Sequence, residues 1–294
     1  MKKSGFRPIL FAALAAVFYA LNMPFSKILL RSVGSTMLAG LLYVGAGVGM
    51  GIIYLAKRHS VPPEEKLGRA DLPYTIAMVV LDIAAPILLM LGLSTASAAN
   101  ASLLNNFEIV ATTLIARIFF GEKVTARLWG AIGLITLGGA MLSFEDLTSF
   151  SFSYGSLLIL AAASCWGLEN NCTRKISDKN APMIVMIKGI FSGSGSVAIA
   201  LIIGESFPSA GYALMALILG FVAYGLSITF YVSAQKDLGA AKTSAYYAIA
   251  PFVGTFLSAV MLRERLGLQY FLALAVMIIG SALVADDTLK GESK

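Results

Sequence analysis

Apolar stretches of about twenty residues recur from one end of this chain to the other, and that is the length a helix needs to cross a hydrocarbon core about 30 Å thick. Of the 294 residues, 58% are hydrophobic and 13% are charged, whereas a soluble domain carries about a quarter charged residues to face water. The chain lacks the polar surface for solubility, and a single hydrophobic anchor does not account for runs that cover its whole length. The expected fold class is an all-α membrane protein.

The start, Met1, Lys2 and Lys3 followed by an apolar run from Pro8 to Leu30, is too long for a signal peptide and ends in no clean cleavage site. It reads as the first transmembrane helix. Breaking the runs at charge clusters, Pro and Gly predicts ten helices, near 8–31, 34–56, 72–93, 97–118, 125–143, 154–173, 182–203, 211–233, 240–261 and 267–285.

Lys and Arg are retained on the cytoplasmic side of short loops. With the N-terminus inside, seventeen of them fall in cytoplasmic segments: Lys2, Lys3 and Arg7; Lys57, Arg58, Lys66 and Arg69; Arg117, Lys123 and Arg127; Arg174, Lys175 and Lys179; Lys236 and Lys242; Lys290 and Lys294. The outer segments hold only Lys27, Arg31, Arg263 and Arg265. Both termini are expected in the cytoplasm and the protein in the inner membrane. The net charge of +6 reflects this bias and argues against a nucleic-acid partner.

The second half can be laid on the first. Residues 15–22 meet 162–169 at an offset of 147, and Gly45 and Gly47 meet Gly193 and Gly195 at nearly the same offset. At 142, Gly121, Glu122 and Lys123 meet Arg263, Glu264 and Arg265, Gly138 meets Gly280, and 98–102 falls on 240–244. Two five-helix units are implied, with domains at 1–148 and 149–294. Because five is odd, the second enters the membrane from the opposite side. Such inverted repeats belong mainly to transporters, whose site lies at the repeat interface and opens to either face by alternating access.

These paired features, above all Phe120, Gly121 and Glu122 with Leu262, Arg263 and Glu264, each between a small-residue-rich helix and a Gly-rich one, carry a resemblance over the whole chain. The chain resembles the drug/metabolite transporter superfamily, specifically its EamA-type ten-helix members. The resemblance implies export or exchange of small metabolites such as amino acids through a central cavity lined by the first, third, fourth and matching second-half helices.

Ionisable groups inside hydrocarbon cost about 3 kcal/mol on insertion scales, so each is a candidate site residue. Asp82 and Glu108 lie near the middle of their predicted helices, with Glu169 and Lys188 toward the inner ends of theirs. Glu108 shares a helix face with Asn105 at spacing three. It is expected to face the cavity, where a carboxylate receives a substrate ammonium group or exchanges a proton. Asp82 precedes Pro86 by four residues, so a backbone carbonyl is freed beside it; a structural pairing with a hydroxyl is as good an account. Glu169 and Lys188 are expected to pair, which removes both charges from lipid; alternatively Lys188 holds a substrate carboxylate. Lys27 is expected to snorkel to the outer interface.

Asn22, aligned with Glu169, is followed by Pro24, which should kink the first helix and expose a carbonyl; Asn170 and Asn171 are its polar counterparts. Tyr19, Trp166, Tyr224, Tyr246 and Tyr247 can wall a cavity or serve as packing. The glycines 45, 47, 49, 51, 189, 193 and 195 read as helix-packing surfaces, and Cys165 and Cys172 as small packing residues.

No Walker-type loop is present and His59 is the one histidine, so neither ATP coupling, an intramembrane enzyme nor a metal centre is indicated. The expected function is a secondary transporter without cofactor, monomeric or homodimeric. Its expected partners are the lipid bilayer, a small-molecule substrate and protons as the coupling ion. A cationic-compound exporter and a channel are the alternatives.

Overall fold

A computed structural model describes residues 6–121, 124–146, 151–176, 178–238 and 246–291. The expected pairing of 98–102 with 240–244, and Lys2, Lys3, Glu122, Lys123, Lys242 and Lys294, lie outside the described residues. The helices are α1 (Phe6–Ala20), α2 (Asn22–Leu29), α3 (Ser35–Lys57), α4 (Leu72–Thr95), α5 (Ala98–Leu104), α6 (Phe107–Phe120), α7 (Ala126–Ser143), α8 (Tyr154–Arg174), α9 (Ala181–Ile202), α10 (Ala210–Gly220), α11 (Ser227–Leu238), α12 (Ala250–Leu262) and α13 (Leu268–Gly291). A π-helical segment, Phe221–Leu226, joins α10 to α11. The all-helical expectation needs one small amendment, an antiparallel ribbon of Phe144–Asp146 with Ser151–Phe152.

Among the described residues seven helical spans are long and apolar enough to cross a membrane, with α12 a shorter apolar helix, so the expected count of ten is not confirmed. The differences have local causes. The segment 97–118 breaks at Asn105 and Asn106 into α5 and α6. The last turns of α8 carry Glu169, Asn170, Asn171 and Thr173, which lower its hydropathy. The helix expected at 240–261 is described only from Tyr246, with a turn at 248–249 before α12. The first expected helix is likewise divided at Leu21, where Pro24 has no N–H to give the carbonyl of Ala20. Pro86, by contrast, sits inside an unbroken α4.

Three pairs of equivalent helices pack against each other, and they do so antiparallel. Along α3 and α9, Gly40 meets Gly193 and Val197 while Gly47 meets Gly189 and Ile190. Along α7 and α13, Gly138 meets Ala273 and Met277 while Gly280 meets Ala131, Leu134 and Ile135. Between α5 and α12, Thr255 donates to the carbonyl of Ala99 and Gly254 lies on Ser102. Numbers rise on one helix as they fall on its mate, which is the signature of an inverted repeat. The repeat also shows in backbone conformation: Gly121 ends α6 at φ 68° and Arg263, its partner at offset 142, ends α12 at φ 52°.

The glycines act at these crossings because a side chain would separate the helices. A Cβ on Gly40 would lie 2.8 Å from the backbone nitrogen of Val197, and one on Gly193 would lie 2.5 Å from that of Val44. Ile118, Phe119, Ile202 and Leu268 are more than two-thirds exposed on the outside of the bundle, as side chains against lipid tails must be.

Two loop carboxylates of the second half bind helix starts of the first. Glu205 accepts from the N–H groups of Thr36 (3.1 Å) and Met37 (2.7 Å) at the start of α3. Glu264 accepts from Ala98 (2.7 Å) and Ala99 (2.9 Å), and Ser97 from Asn100 (3.1 Å), so the first three N–H groups of α5 are satisfied. At the outer end of α2 the Lys27 Nζ donates to the carbonyls of Leu93 (2.6 Å), Ser94 (3.2 Å) and Ala96 (2.7 Å) and closes the end of α4, as a cation near a helix C-terminus can. Replacing Glu264 by Ala is expected to lower stability by about 1–2 kcal/mol, with Glu264→Gln intermediate, as read by thermal unfolding of the purified protein.

Candidate functional site

The buried polar side chains converge where the two halves meet. Lys188, one-third of the way along α9, places its ammonium 3.0 Å from Oδ2 of Asp82 on α4 and 3.1 Å from Oε1 of Glu169 on α8. Asp82 is fully buried, Glu169 is 2% exposed and the Lys188 side chain 14%. The pair expected from the sequence, Glu169 with Lys188, is thus a triad in which Asp82 is a second carboxylate. A single ammonium at contact distance from two carboxylates leaves one negative charge uncompensated if both are ionised, and in low dielectric that is costly.

Hydrogen bonds orient each member. The Tyr43 hydroxyl donates to Oδ1 of Asp82 at 3.0 Å and accepts from the Trp166 indole N–H at 3.2 Å. Thr173, one turn beyond Glu169 on α8, donates to its carboxylate. These partners leave Asp82 and Glu169 no freedom to turn away from Lys188.

Glu108 stands beside the triad. Asn170 donates to its Oε1 at 2.7 Å, and also reaches the Thr112 hydroxyl at 3.3 Å. Asn171, on the next position of α8, donates instead to the carbonyls of Thr112 and Gly167 and fastens α8 to α6. Among the described residues no basic side chain pairs with Glu108. Its α6 carries it one turn past the break at Asn105 and Asn106, within electrostatic reach of Glu169 and Lys188.

The other side of the site is aromatic. Asn22, buried at the start of α2, donates to the Tyr224 hydroxyl at 2.9 Å and accepts from Ser26 at 3.0 Å. Tyr224, on the π-helical segment, lies 5.2 Å from the Tyr43 ring and 6.0 Å from that of Tyr19. Tyr19 accepts from Asn105 at 3.0 Å and lies 6.0 Å from Tyr247, which in turn packs at 5.0 Å on Tyr231. A π-helical turn is a costly way to run a helix and recurs at functional sites; here it carries the tyrosine that touches Asn22, Tyr43 and Tyr19.

All nine candidates, Asn22, Asp82, Asn105, Glu108, Trp166, Glu169, Lys188, Tyr224 and Tyr247, therefore fall in one connected region drawn from both halves. Tyr246 does not: it is 41% exposed and faces away. Sequence reasoning missed Tyr43, the link between the acidic and aromatic sides, because its Gly-rich helix reads as a packing surface alone. A phenol in that helix, one of two with Tyr54, was the available signal. Among the described residues no cluster is able to hold a metal ion.

Comparison with known proteins agrees with the repeat. The model of the EamA-like transporter family matches residues 6–144 and again 153–285. An uncharacterized transporter of Methanothermobacter thermautotrophicus is 25% identical over 290 aligned positions, covering 90% of this chain and 82% of that one. The uncharacterized transporter YyaM of Bacillus subtilis is 26% identical over 188, 58% of this chain and 59% of that one. A protein of known crystal structure superposes with a TM-score of 0.69 at 17% identity, covering 97% of this chain and 98% of the other, a likeness of fold.

Proposed function

Since the chain belongs to the EamA-like transporter family, and is a membrane transporter and not an enzyme, we propose that it exports or exchanges a small amino-bearing metabolite by alternating access. In this reading it sits in the inner membrane with both termini in the cytoplasm, as a monomer or homodimer, and protons drive it. Domain boundaries at 1–148 and 149–294 fit the same scheme, with both halves contributing to each side of the site.

The observation that carries the reading is the charge balance at the interface of the halves: among the described residues, Asp82, Glu169 and Glu108 face Lys188. A site with surplus carboxylate is completed by a positive group, and the two that fit are a proton and a substrate ammonium. Competition between them at Glu108 supplies antiport without further machinery: a proton entering releases the ammonium, and the reverse. Lys188 is then available to a substrate carboxylate when the halves move apart, so that a zwitterion such as an amino acid meets a partner for each end. Tyr19, Tyr224, Tyr247 and Trp166 would face its side chain.

The same carboxylate surplus and aromatic wall favour a second reading, a cationic-compound exporter, in which the ligand lacks a carboxylate and Lys188 stays paired. Counterflow in proteoliposomes across a panel of amino acids and organic cations separates the two. Saturable exchange is expected for a carrier and absent for a channel. In Glu108→Gln, exchange is expected to fall at least about tenfold and to lose its dependence on an imposed pH gradient, with thermal stability little changed. Full exchange and unaltered pH response in that variant would remove Glu108 from the mechanism.

A further inference from the structure

The two repeats make one contact twice. Asn22 and Glu169 are equivalents at offset 147, and at offset 142 Asp82 falls on Tyr224. Packing bears out both offsets in these helices: Gly92 meets Ile159 of the other half as Ala234 meets Ala12. Asn22 donates to the Tyr224 hydroxyl at 2.9 Å, while Glu169 and Asp82 meet through Lys188 at 3.1 and 3.0 Å. The same two repeat positions therefore come together on both sides of the pseudo-symmetry, and each contact joins one half to the other.

The two contacts differ in charge, and the repeat supplies the reason. At the offset of 148 that lays Gly45 and Gly47 on Gly193 and Gly195, Lys188 falls on Gly40, so the first half has no ammonium at that position. Two carboxylates need a cation between them, whereas an amide and a phenol bond directly. The contacts differ in depth as well. Asn22 lies past the middle of the run from Phe6 to Leu29, and Glu169 lies past the middle of α8. Equivalent segments of inverted repeats cross in opposite directions, so the two contacts sit toward opposite faces of the membrane. Tyr43 joins them, bonded to Asp82 at 3.0 Å and 5.2 Å from the Tyr224 ring.

When inverted repeats rock about a central site, each half takes up the arrangement that its mate has left. A contact that closes one face then has a symmetry mate that closes the other, and one breaks while its mate holds. We propose that the hydrogen bond between Asn22 and Tyr224 is the gate on the face toward which α2 runs, and that the cluster of Glu169, Lys188 and Asp82 is its counterpart on the opposite face. The Tyr224 ring faces the site; its hydroxyl closes the gate. This inference rests on the alternating-access reading above and assigns the two closures of that cycle to named residues.

The test is labelling of a cysteine placed behind the gate, Tyr19→Cys, in a full chain whose own cysteines are removed as Cys165→Ser and Cys172→Ser. Tyr19 comes three residues before Asn22 and lies 6.0 Å from the Tyr224 ring. A membrane-impermeant maleimide is applied to intact cells for one face and to inverted membrane vesicles for the other. Tyr224→Phe removes the hydroxyl and keeps the ring. It should raise the labelling rate from the α2 face about threefold to tenfold, the worth of one net hydrogen bond, and leave the other face unchanged. Asn22→Ala should act in the same way, and Glu169→Gln should raise labelling from the opposite face alone. If neither Tyr224→Phe nor Asn22→Ala gives a one-sided rise while Glu169→Gln does, the gate is overturned and alternating access stands. Rapid labelling from both faces with both contacts intact describes an open pore and overturns the two together. If Tyr19→Cys does not fold, the reporter moves to Asn105, whose amide bonds Tyr19 at 3.0 Å.

Discussion

Lys188→Met is expected to be among the most destabilising single substitutions in this protein, at about 3–5 kcal/mol, the loss that follows when one member of a buried ionic cluster is removed and the rest stay. The side chain that goes is the ammonium shared by Asp82 and Glu169 at 3.0 and 3.1 Å. The two carboxylates that remain face each other in a region where neither reaches water. Thermal unfolding should record the loss, and the triple variant Asp82→Asn, Glu169→Gln, Lys188→Met should recover most of it, because neutral groups of similar shape no longer need the ammonium. Transport should not recover with stability. A Lys188→Met protein as stable as the native one would mean that the three charges do not share one buried cluster in the membrane.

The second large effect is expected at the crossing of α3 with α10. A Cβ on Gly45 would lie 2.7 Å from the backbone carbon atoms of Leu217, and one on Gly220 would lie 2.6 Å from the carbonyl carbon of Leu42. Both obstacles are backbone, which cannot rotate aside as a side-chain end can. Gly220→Val should therefore separate the helices at a cost of roughly 3 kcal/mol or more, at the upper end of the usual overpacking range, and it should sharply lower the folded yield from membranes. Gly133 on α7 has nothing within 4 Å of its would-be Cβ, so Gly133→Val is the control and should fold normally. Equal behaviour of the two variants would contradict the close crossing. Because α10 leads into the π-helical segment with Tyr224, a partly folded Gly220→Val should also lose transport.

The same contrast explains what could be read in advance. Glycine is legible as a packing residue in an apolar helix because small size has few other uses there, but which glycine meets which helix is not. Gly130 and Gly133 are as small as Gly138 and meet nothing within 4 Å, whereas Gly138 is filled by Met277. Buried charges were legible for the opposite reason, since their cost in hydrocarbon marks them individually. The partners were not: Asp82 reads equally well as a site residue beside the carbonyl freed by Pro86 or as one bonded to a hydroxyl, and in the structure it meets both the Tyr43 hydroxyl and the Lys188 ammonium. Lys27 lies near a helix end in the sequence, where snorkelling is the economical reading. Only the approach of the end of α4 shows which carbonyls its ammonium meets.

The helix breaks fall between these cases. Pro24 announces its break, since a missing N–H is a property of the residue. Asn105 and Asn106 interrupt α5 and α6 without a proline, and Pro86 passes through α4 without interrupting it, because in both places neighbouring helices decide whether the backbone groups are satisfied.

By itself the sequence determined that this chain lives in a membrane and that it is two related units, and it led to the expectation, from five helices in each, that equivalent helices run in opposite directions. All three follow from properties that add up along the chain: hydropathy, repetition and parity. The tertiary structure alone decided that one lysine serves two carboxylates and that Tyr43 joins the acidic and aromatic sides. Those are contacts between residues far apart in the chain, and their energies depend on distances of a few ångströms that no local pattern of residue types encodes.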